Sequence, residues 1–484
     1  MSRTRVEAAG SIARVWRAEG FAAVRDRVWD RLRDASVRAR CAGGGRDPWP
    51  SASILNVIGV PVTTMFGGVP VQLRARLRDE SMKRPVALLS REPGGAGWRL
   101  EAWSDGEPRR AMAFSAGAWD GDPLTEEPDW LHAVRTCIRL VNARAVHVEN
   151  AVGLSLVSLA ALMGISSSTS ASVAADGPGL PVVLSVHDRS LFSRDPQPLL
   201  PDASAHEPGQ PLASHAPFAM RRSPQSAKLA SPATPATPAS NDARELPADD
   251  RQRFQHALHH ALGTGIVRAA AFTIYPSQFM RGDVEVLPHL AAHVVAPGIE
   301  LPARASRSAR RPDEIALLGG GQTHKGGPRL ARIAAALAAR GLHVTSYGGY
   351  GHENLLAMRA IPGVRVRGYY RAGSLPGLLA GQGASVALIL SAFAESFSLV
   401  LSEAWAAGVP VVAPATGAFP ERIPPLGGLL VSANASDEEI IAAVDRARSM
   451  SWEALPTPPT ASQAAERHLA LYRDAGFIDG TATS

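Results

Sequence analysis

The run Glu403-Ala-Trp-Ala-Ala-Gly408-Val-Pro-Val-Val-Ala413 leaves a chain few choices. Small residues at helical spacing that stop on a glycine read as a helix with its C-cap, and the apolar residues after it read as a strand buried on both faces. A strand with no polar face belongs to a parallel sheet covered by helices. The same succession of strand, glycine and helix returns twice. Ile54-Leu-Asn-Val-Ile58 precedes Gly67-Gly68 and a helical pattern over 70–79, and Glu314-Ile-Ala-Leu-Leu precedes Gly319-Gly-Gly-Gln-Thr-His-Lys325-Gly326 and a helical pattern over 328–340. These units predict doubly wound α/β domains, whose ligands bind beyond the carboxyl ends of the strands. The 484 residues suffice for two or three of them, each with its own core.

The segment entering the first run is Glu395-Ser-Phe-Ser-Leu-Val-Leu-Ser-Glu403. A helix that starts near Ser398 turns the free amides of Ser398, Leu399 and Val400, with the positive end of its dipole, toward the crevice, where a phosphate is stabilised. Glu395 then lies in the loop and Glu403 on the second turn, so one carboxylate meets the far end of a ligand while the other accepts from a vicinal diol such as ribose. Taken alone, the two are equally a cap and a surface glutamate. The glycine run that holds Gly320 and Gly321, followed by Lys325, makes an anion cradle in which glycine lets the backbone approach and the ammonium offsets charge. Lysine occurs elsewhere only at Lys83 and Lys228, so a lysine at this place carries weight. The Walker spacing is absent, and no G-x-G-x-x-G follows the first strand. Leu180-Pro-Val-Val-Leu-Ser-Val-His187-Asp188 ends a strand in a His-Asp pair, and Ala145-Val-His147-Val-Glu149 offers a weaker histidine. A histidine at a strand end is either a structural group or a cleft residue.

The spacing Glu395-(x7)-Glu403, continued as Glu-Ala-x-Ala-x-Gly-x-Pro-Val-Val to Val412, resembles the E-x7-E signature of retaining glycosyltransferases with the GT-B fold, the family 4-like group 1 glycosyl transferases. The resemblance runs from residue 53 to 475 and is stronger in the second half. It implies an α/β GT-B architecture: two Rossmann-like domains facing across a cleft, with a C-terminal helix crossing back to the first. It implies a nucleotide-sugar donor held by the second domain, with Glu403 on the ribose, Lys325 and the amides of Ser398 and Leu399 on the pyrophosphate beside Gly321, and Glu395 toward the sugar. The first domain is expected to present His187, the Gly67-Gly68 loop and the acceptor pocket. Glu395, His187 and Lys325 are the catalytic expectations; transfer to a glycan or lipid-linked glycan, in surface polysaccharide synthesis, retains configuration. Neither a cofactor nor a metal is implied. One departure stands out: Gly320 occupies the place where the family carries an arginine. A substitute arginine, a different donor, or a paralogue that binds nucleotide sugar without turnover all stay open, as does a GT-B-like nucleotide-sugar epimerase.

The remaining sequence sets the layout. Residues 11–40 predict an arginine-rich helix with Phe21, Val24, Val28 and Leu32 at helical spacing and Trp16 and Trp29 beside them. Such a helix lies on anionic lipid or packs on the protein with a solvated face. With its linker it fills 1–50. The first domain spans 51–299, with low-complexity insertions at 166–179 and 194–250; the second spans 313–460 after a linker at 300–312; 461–484 hold the crossing helix and tail. The net charge of +6 and pI of about 9.7 favour anionic ligands or an anionic membrane face. No nucleic-acid motif accompanies that charge. Cys41 and Cys137 make no metal spacing or disulfide framework, which suits a reducing cytoplasm. No signal peptide or spanning run is read, so the expected address is cytoplasmic, with the inner face of the membrane as a place of work.

Overall fold

The computed structural model describes residues 13–42, 49–62, 68–93, 95, 97–117, 119–165, 180–193, 248–283, 291–300, 310–349, 352–450 and 455–479. Among these, the first domain builds an eight-stranded sheet: β1 (Ile54–Ile58), β2 (Val86–Arg91), β3 (Gly97–Ser104), β4 (Glu107–Ser115), β5 (Ala145–Asn150), β6 (Val182–Ser185), β7 (Phe272–Tyr275) and β8 (Ala292–Val294). Their order is β4-β3-β2-β1-β5-β6-β7-β8, parallel from β2 to β8, with β3 and β4 antiparallel at one edge. Strands β1, β5, β6 and β7 are buried along their whole length because helices cover both faces. The Trp98 and Trp130 rings meet at 6.3 Å in the core between sheet and helix.

The second domain builds a six-stranded, wholly parallel sheet: β9 (Glu314–Leu318), β10 (His343–Tyr347), β11 (Val364–Gly368), β12 (Val386–Ile389), β13 (Val411–Pro414) and β14 (Gly428–Val431). The order β11-β10-β9-β12-β13-β14 is the 3-2-1-4-5-6 order of dinucleotide-binding sheets, with the crevice where β9 parts β10 from β12. The helix Ala461–Asp474 crosses back, capped reciprocally by Thr460 and Gln463, and packs Leu469 and Tyr472 against Ile54, Val183 and Phe272 of the first sheet. The two-domain α/β architecture with its crossing helix is the GT-B arrangement expected from the sequence.

Several elements differ from expectation. The N-terminal helix is broken at Gly20, whose φ of 89° ends the helical residues 13–19 before Phe21–Ala42 begins. That second helix packs against β11 and β4, the edge strand of each sheet. Strand β4 was not foreseen: its proline and alternating polar residues suit an edge, and the Asp105-Gly106 turn that pairs it with β3 is the usual hairpin signal. After β5 a short helix spans Leu156–Leu162, and a long one spans Ala248–Ala269 before β7. Insertion residues 166–179 and 194–247, and linker residues 301–309, lie outside the described residues.

Candidate active site

A cavity of about 330 Å³ lies between the carboxyl ends of the two sheets. Gly68, His187, Lys325, Glu395, Ser398, Leu399 and Glu403 all line it, so residues from four separate segments meet in one place. Gly67 lies outside the described residues. Gly68 opens the helix Gly68–Ser81 and sits opposite Leu399 across the cleft: a Cβ on Gly68 would be 3.6 Å from Leu399 Cδ1.

Lys325 ends a short 3-10 turn, Thr323–Lys325, between β9 and the helix Gly327–Ala339. Its Nζ donates to Glu395 Oε1 at 2.7 Å and lies 4.6 Å from the centre of the Phe393 ring. Ser391 Oγ donates to the same carboxylate oxygen, and Glu395 is 6 % exposed. The lysine therefore reaches the cleft as half of an ion pair.

The helix foreseen near Ser398 begins at Leu399, and Ser398 is its cap with φ 69°, left-handed backbone uncommon for a residue with a side chain. The Ser398 hydroxyl is buried and has no hydrogen-bond partner. Sequence reasoning missed what holds this turn. Half-buried Arg422 donates through Nη1 to the carbonyls of Phe397 at 2.5 Å and Ser398 at 2.9 Å, and through Nη2 to Ser402 Oγ at 2.7 Å, with its guanidinium stacked 3.5 Å from the Phe397 ring centre. In a trans peptide the C=O and N–H point opposite ways. Holding those two carbonyls on Arg422 thus turns the amides of Ser398 and Leu399 away from it, on the side where both residues line the cavity. Burial pushes the Arg422 pKa down to about 9. The only sequence signal was an arginine at the end of a four-residue helix, Phe419–Arg422. In the same helix Glu421 accepts the amides of Gln278 and Phe279, at 3.2 and 2.9 Å, and so caps a helix of the opposite domain.

Glu403 lies on the second turn of its helix. Burial pushes its carboxyl up to about 8, and a hydrogen bond from the Gly373 amide pulls the other way. A carboxyl whose folded pKa is raised binds its proton more tightly folded than unfolded, so it costs stability as pH climbs from the ordinary glutamate value through about 8. Glu403→Gln removes that cost: its thermal midpoint should exceed that of the parent chain at pH 8.5, with the gap closing below pH 5. Parallel melting curves across that range would show that Glu403 is not the titrating group.

His187 follows β6 into the cavity, and Gln72 Nε2 stands 3.3 Å from both ring nitrogens. Burial first, then the nearby Arg76, push its pKa down to about 4, so the imidazole is neutral at neutral pH. Asp188 does not orient it, because its oxygens take Ser190 N at 2.9 Å and Asn150 Nδ2 at 3.2 Å. His147 stays outside the cavity: it bonds Tyr472 Oη at 2.5 Å and Ser185 Oγ at 2.8 Å beneath the crossing helix. Gly321 is not a lining residue; its carbonyl accepts Asn354 Nδ2 at 2.6 Å, and Gly319 meets the cavity instead.

Gly320 has φ 71°, and a Cβ there would stand 2.9 Å from the carbonyl carbon and oxygen of Gly348. The two glycines let β9 and β10 end in contact, which a side chain forbids. Gly320→Arg should therefore lower the thermal midpoint without raising activity. A stable, more active variant would mean that charge alone is missing. Among the described residues no group of three or more His, Cys, Asp or Glu could hold a metal ion, and no helix is long and apolar enough to cross a membrane.

Comparison with known proteins bears on the fold and on the second domain. Residues 313–449 match the family model "Glycosyl transferases group 1". No curated protein sequence matches the chain. Among solved structures, sucrose-phosphate synthase from Thermosynechococcus elongatus superposes with a TM-score of 0.50 at 15 % identity, over 87 % of this chain and 96 % of that one, a likeness in fold. HepE from Anabaena, solved in complex with UDP and glucose, gives a TM-score of 0.47 at 13 % identity, over 87 % and 95 %.

Proposed function

We propose that the chain transfers a sugar from a nucleoside diphosphate sugar to an acceptor hydroxyl, with retention of configuration. The observation that carries this reading is the meeting of three things in one cleft: the Lys325–Glu395 pair, the Ser398 and Leu399 amides turned inward by Arg422, and the orphaned Ser398 hydroxyl. Together they offer an ammonium, two N–H groups and an O–H to one anion, a fit to a diphosphate. Glu403, one helical turn further, accepts the ribose diol. Glu395 and neutral His187 hydrogen-bond the sugar from opposite domains.

Breaking the sugar–phosphate bond develops positive charge on the sugar and negative charge on the leaving phosphate. Donors fixed beforehand stabilise that charge without reorganising. The acceptor hydroxyl attacks from the face the phosphate leaves, its oxygen bonds the anomeric carbon, and its proton passes to a phosphate oxygen. Within this scheme no residue needs a resident cofactor or metal. Glu403→Ala and Lys325→Ala serve as the site variants.

The acceptor we favour is a glycan or lipid-linked glycan used in surface polysaccharide synthesis, met at the inner face of the cytoplasmic membrane. Phe21, Val28 and Leu32 are 72, 42 and 57 % exposed and share one face of the helix Phe21–Ala42, flanked by Arg25. Such a stripe fits peripheral contact with anionic lipid. A second reading, a nucleotide-sugar binder without turnover, draws on Gly320 standing where an arginine is expected. The test is a panel of UDP-, GDP- and ADP-sugars with a lipid-linked glycan acceptor, reading nucleoside diphosphate release and glycosylated product together. Both products from one donor support transfer. Binding without release favours the second reading, and no binding removes the nucleotide-sugar assignment.

A further inference from the structure

A second cavity of about 350 Å³ continues the cleft past Glu403. The two cavities share Val71, Tyr369, Ala372, Leu399 and Glu403. Along the helix Gly68–Ser81 the first is lined from Gly68 to Gln72 and the second from Val71 to Arg78, so the cleft has a direction. It runs from His187 and Glu395, past Ser398, to Glu403 and then into the second cavity. A donor laid with its diphosphate at Ser398 and its ribose at Glu403 sends its base into that second space.

One wall there comes from outside both sheets. Trp29, Asp30 and Arg33 of the helix Phe21–Ala42 line it opposite Arg371. The helix and the turn before it are held in place by polar contacts to the end of β11 and the residues after it. Glu19 accepts the Tyr369 amide at 2.8 Å and Arg27 Nη2 at 2.7 Å, Asp26 accepts Arg367 Nη2 at 2.5 Å, and Asp30 accepts Tyr369 Oη at 2.5 Å. Arg27 also lies over the Tyr369 ring, 4.6 Å from its centre. Trp29, 58 % exposed, and Arg33 sit on the shoulder between those anchored residues and the exposed stripe.

We infer that this helix completes the nucleobase site, with Trp29 covering the face of the base and Arg33 and Arg371 meeting its edge. The inference rests on the donor reading of Glu403 given above. Guanidinium groups only donate, so they match the carbonyl oxygens of uracil or guanine and meet an amino donor on adenine. Trp29 and Arg33 are thereby specificity-determining residues contributed by a segment outside the paired sheets.

Calorimetric titration of the full chain with UDP, GDP, ADP and inorganic pyrophosphate tests this, on the parent and on Trp29→Ala, Arg33→Ala and Glu403→Ala. The parent should bind UDP or GDP at least about tenfold more tightly than ADP. Trp29→Ala and Arg33→Ala should each lose about tenfold for that nucleotide and nothing for pyrophosphate, and Arg33→Ala should narrow the preference over ADP. If Glu403→Ala loses the nucleotide while both helix variants keep its affinity and preference, the inference is wrong and the donor reading stands. If no nucleoside diphosphate binds the parent, or Glu403→Ala binds as well as the parent, the donor reading fails and takes the inference with it. Both helix residues are exposed, and melting curves that match the parent exclude loss of folding.

Discussion

Lys325→Ala will lower kcat for sugar transfer by about 10³-fold, with a smaller change in KM. Removing one fixed donor from a developing anion costs on the order of 10²–10³ in rate, and here the donor carries full charge. The loss falls on kcat because the leaving phosphate gains its charge in the transition state; a group that bound ground and transition states alike would raise KM instead. The variant also leaves Glu395, 6 % exposed, with the Ser391 hydroxyl but without its ammonium partner. A companion Lys325→Ala/Glu395→Gln chain separates the two effects: it should recover thermal stability and not turnover. Full turnover in Lys325→Ala would remove the lysine from the chemistry and leave it as a counter-ion for Glu395.

Arg76→Met will cost about 3–5 kcal/mol of stability at pH 8, a large part of the 5–15 kcal/mol typical of a folded protein. Arg76 is 4 % exposed behind the cavity, where it bonds Glu149, reaches Glu80 Oε1 at 3.2 Å and donates to Asn56 Oδ1 at 3.0 Å. Without it two buried carboxylates lose their cation. Burial already pushes Glu149 up to about 7 against the pull of Arg76. With the arginine gone that carboxyl rises further, so the folded variant holds the proton to higher pH than the unfolded chain and the deficit grows as pH rises. Urea unfolding at pH 5.5 and pH 8 should find the smaller deficit at the lower pH. An equal deficit at both would mean that Arg76 acts by packing its stem and not by neutralising acids.

The fold was legible wherever a strand, a glycine and a helix follow in a row, because each such unit has few ways to bury its strand. β1, β9 and β13 with their glycines sufficed to announce parallel sheets, and Glu395, Ser398 and Glu403 fell together because seven residues of loop and helix bind them to one another. Lys325 and His187 could be placed by resemblance, since strand ends of the two domains converge only in three dimensions. What stayed hidden was support from a distance. Arg422 carries no motif, yet it aims two amides by holding their neighbouring carbonyls. Gly320 read as a missing charge, while the close approach of Gly348 makes it a steric requirement. His147 looked like a site residue and belongs to the seat of the crossing helix, a partner 325 positions away.

The clasp between the helix Phe21–Ala42 and β11 also sets an order of events during synthesis. Glu19 and Tyr369 are 350 positions apart, and Asp26 and Arg367 are 341 apart. At about 5–20 residues per second, the growing chain carries that helix for tens of seconds before β11 exists. Through that interval only β4, of the two edge strands it packs on, has been made. The first domain can close on β1 to β7 meanwhile, but the cleft between the domains acquires this wall only when β11 has been made and a loop of 350 residues has closed.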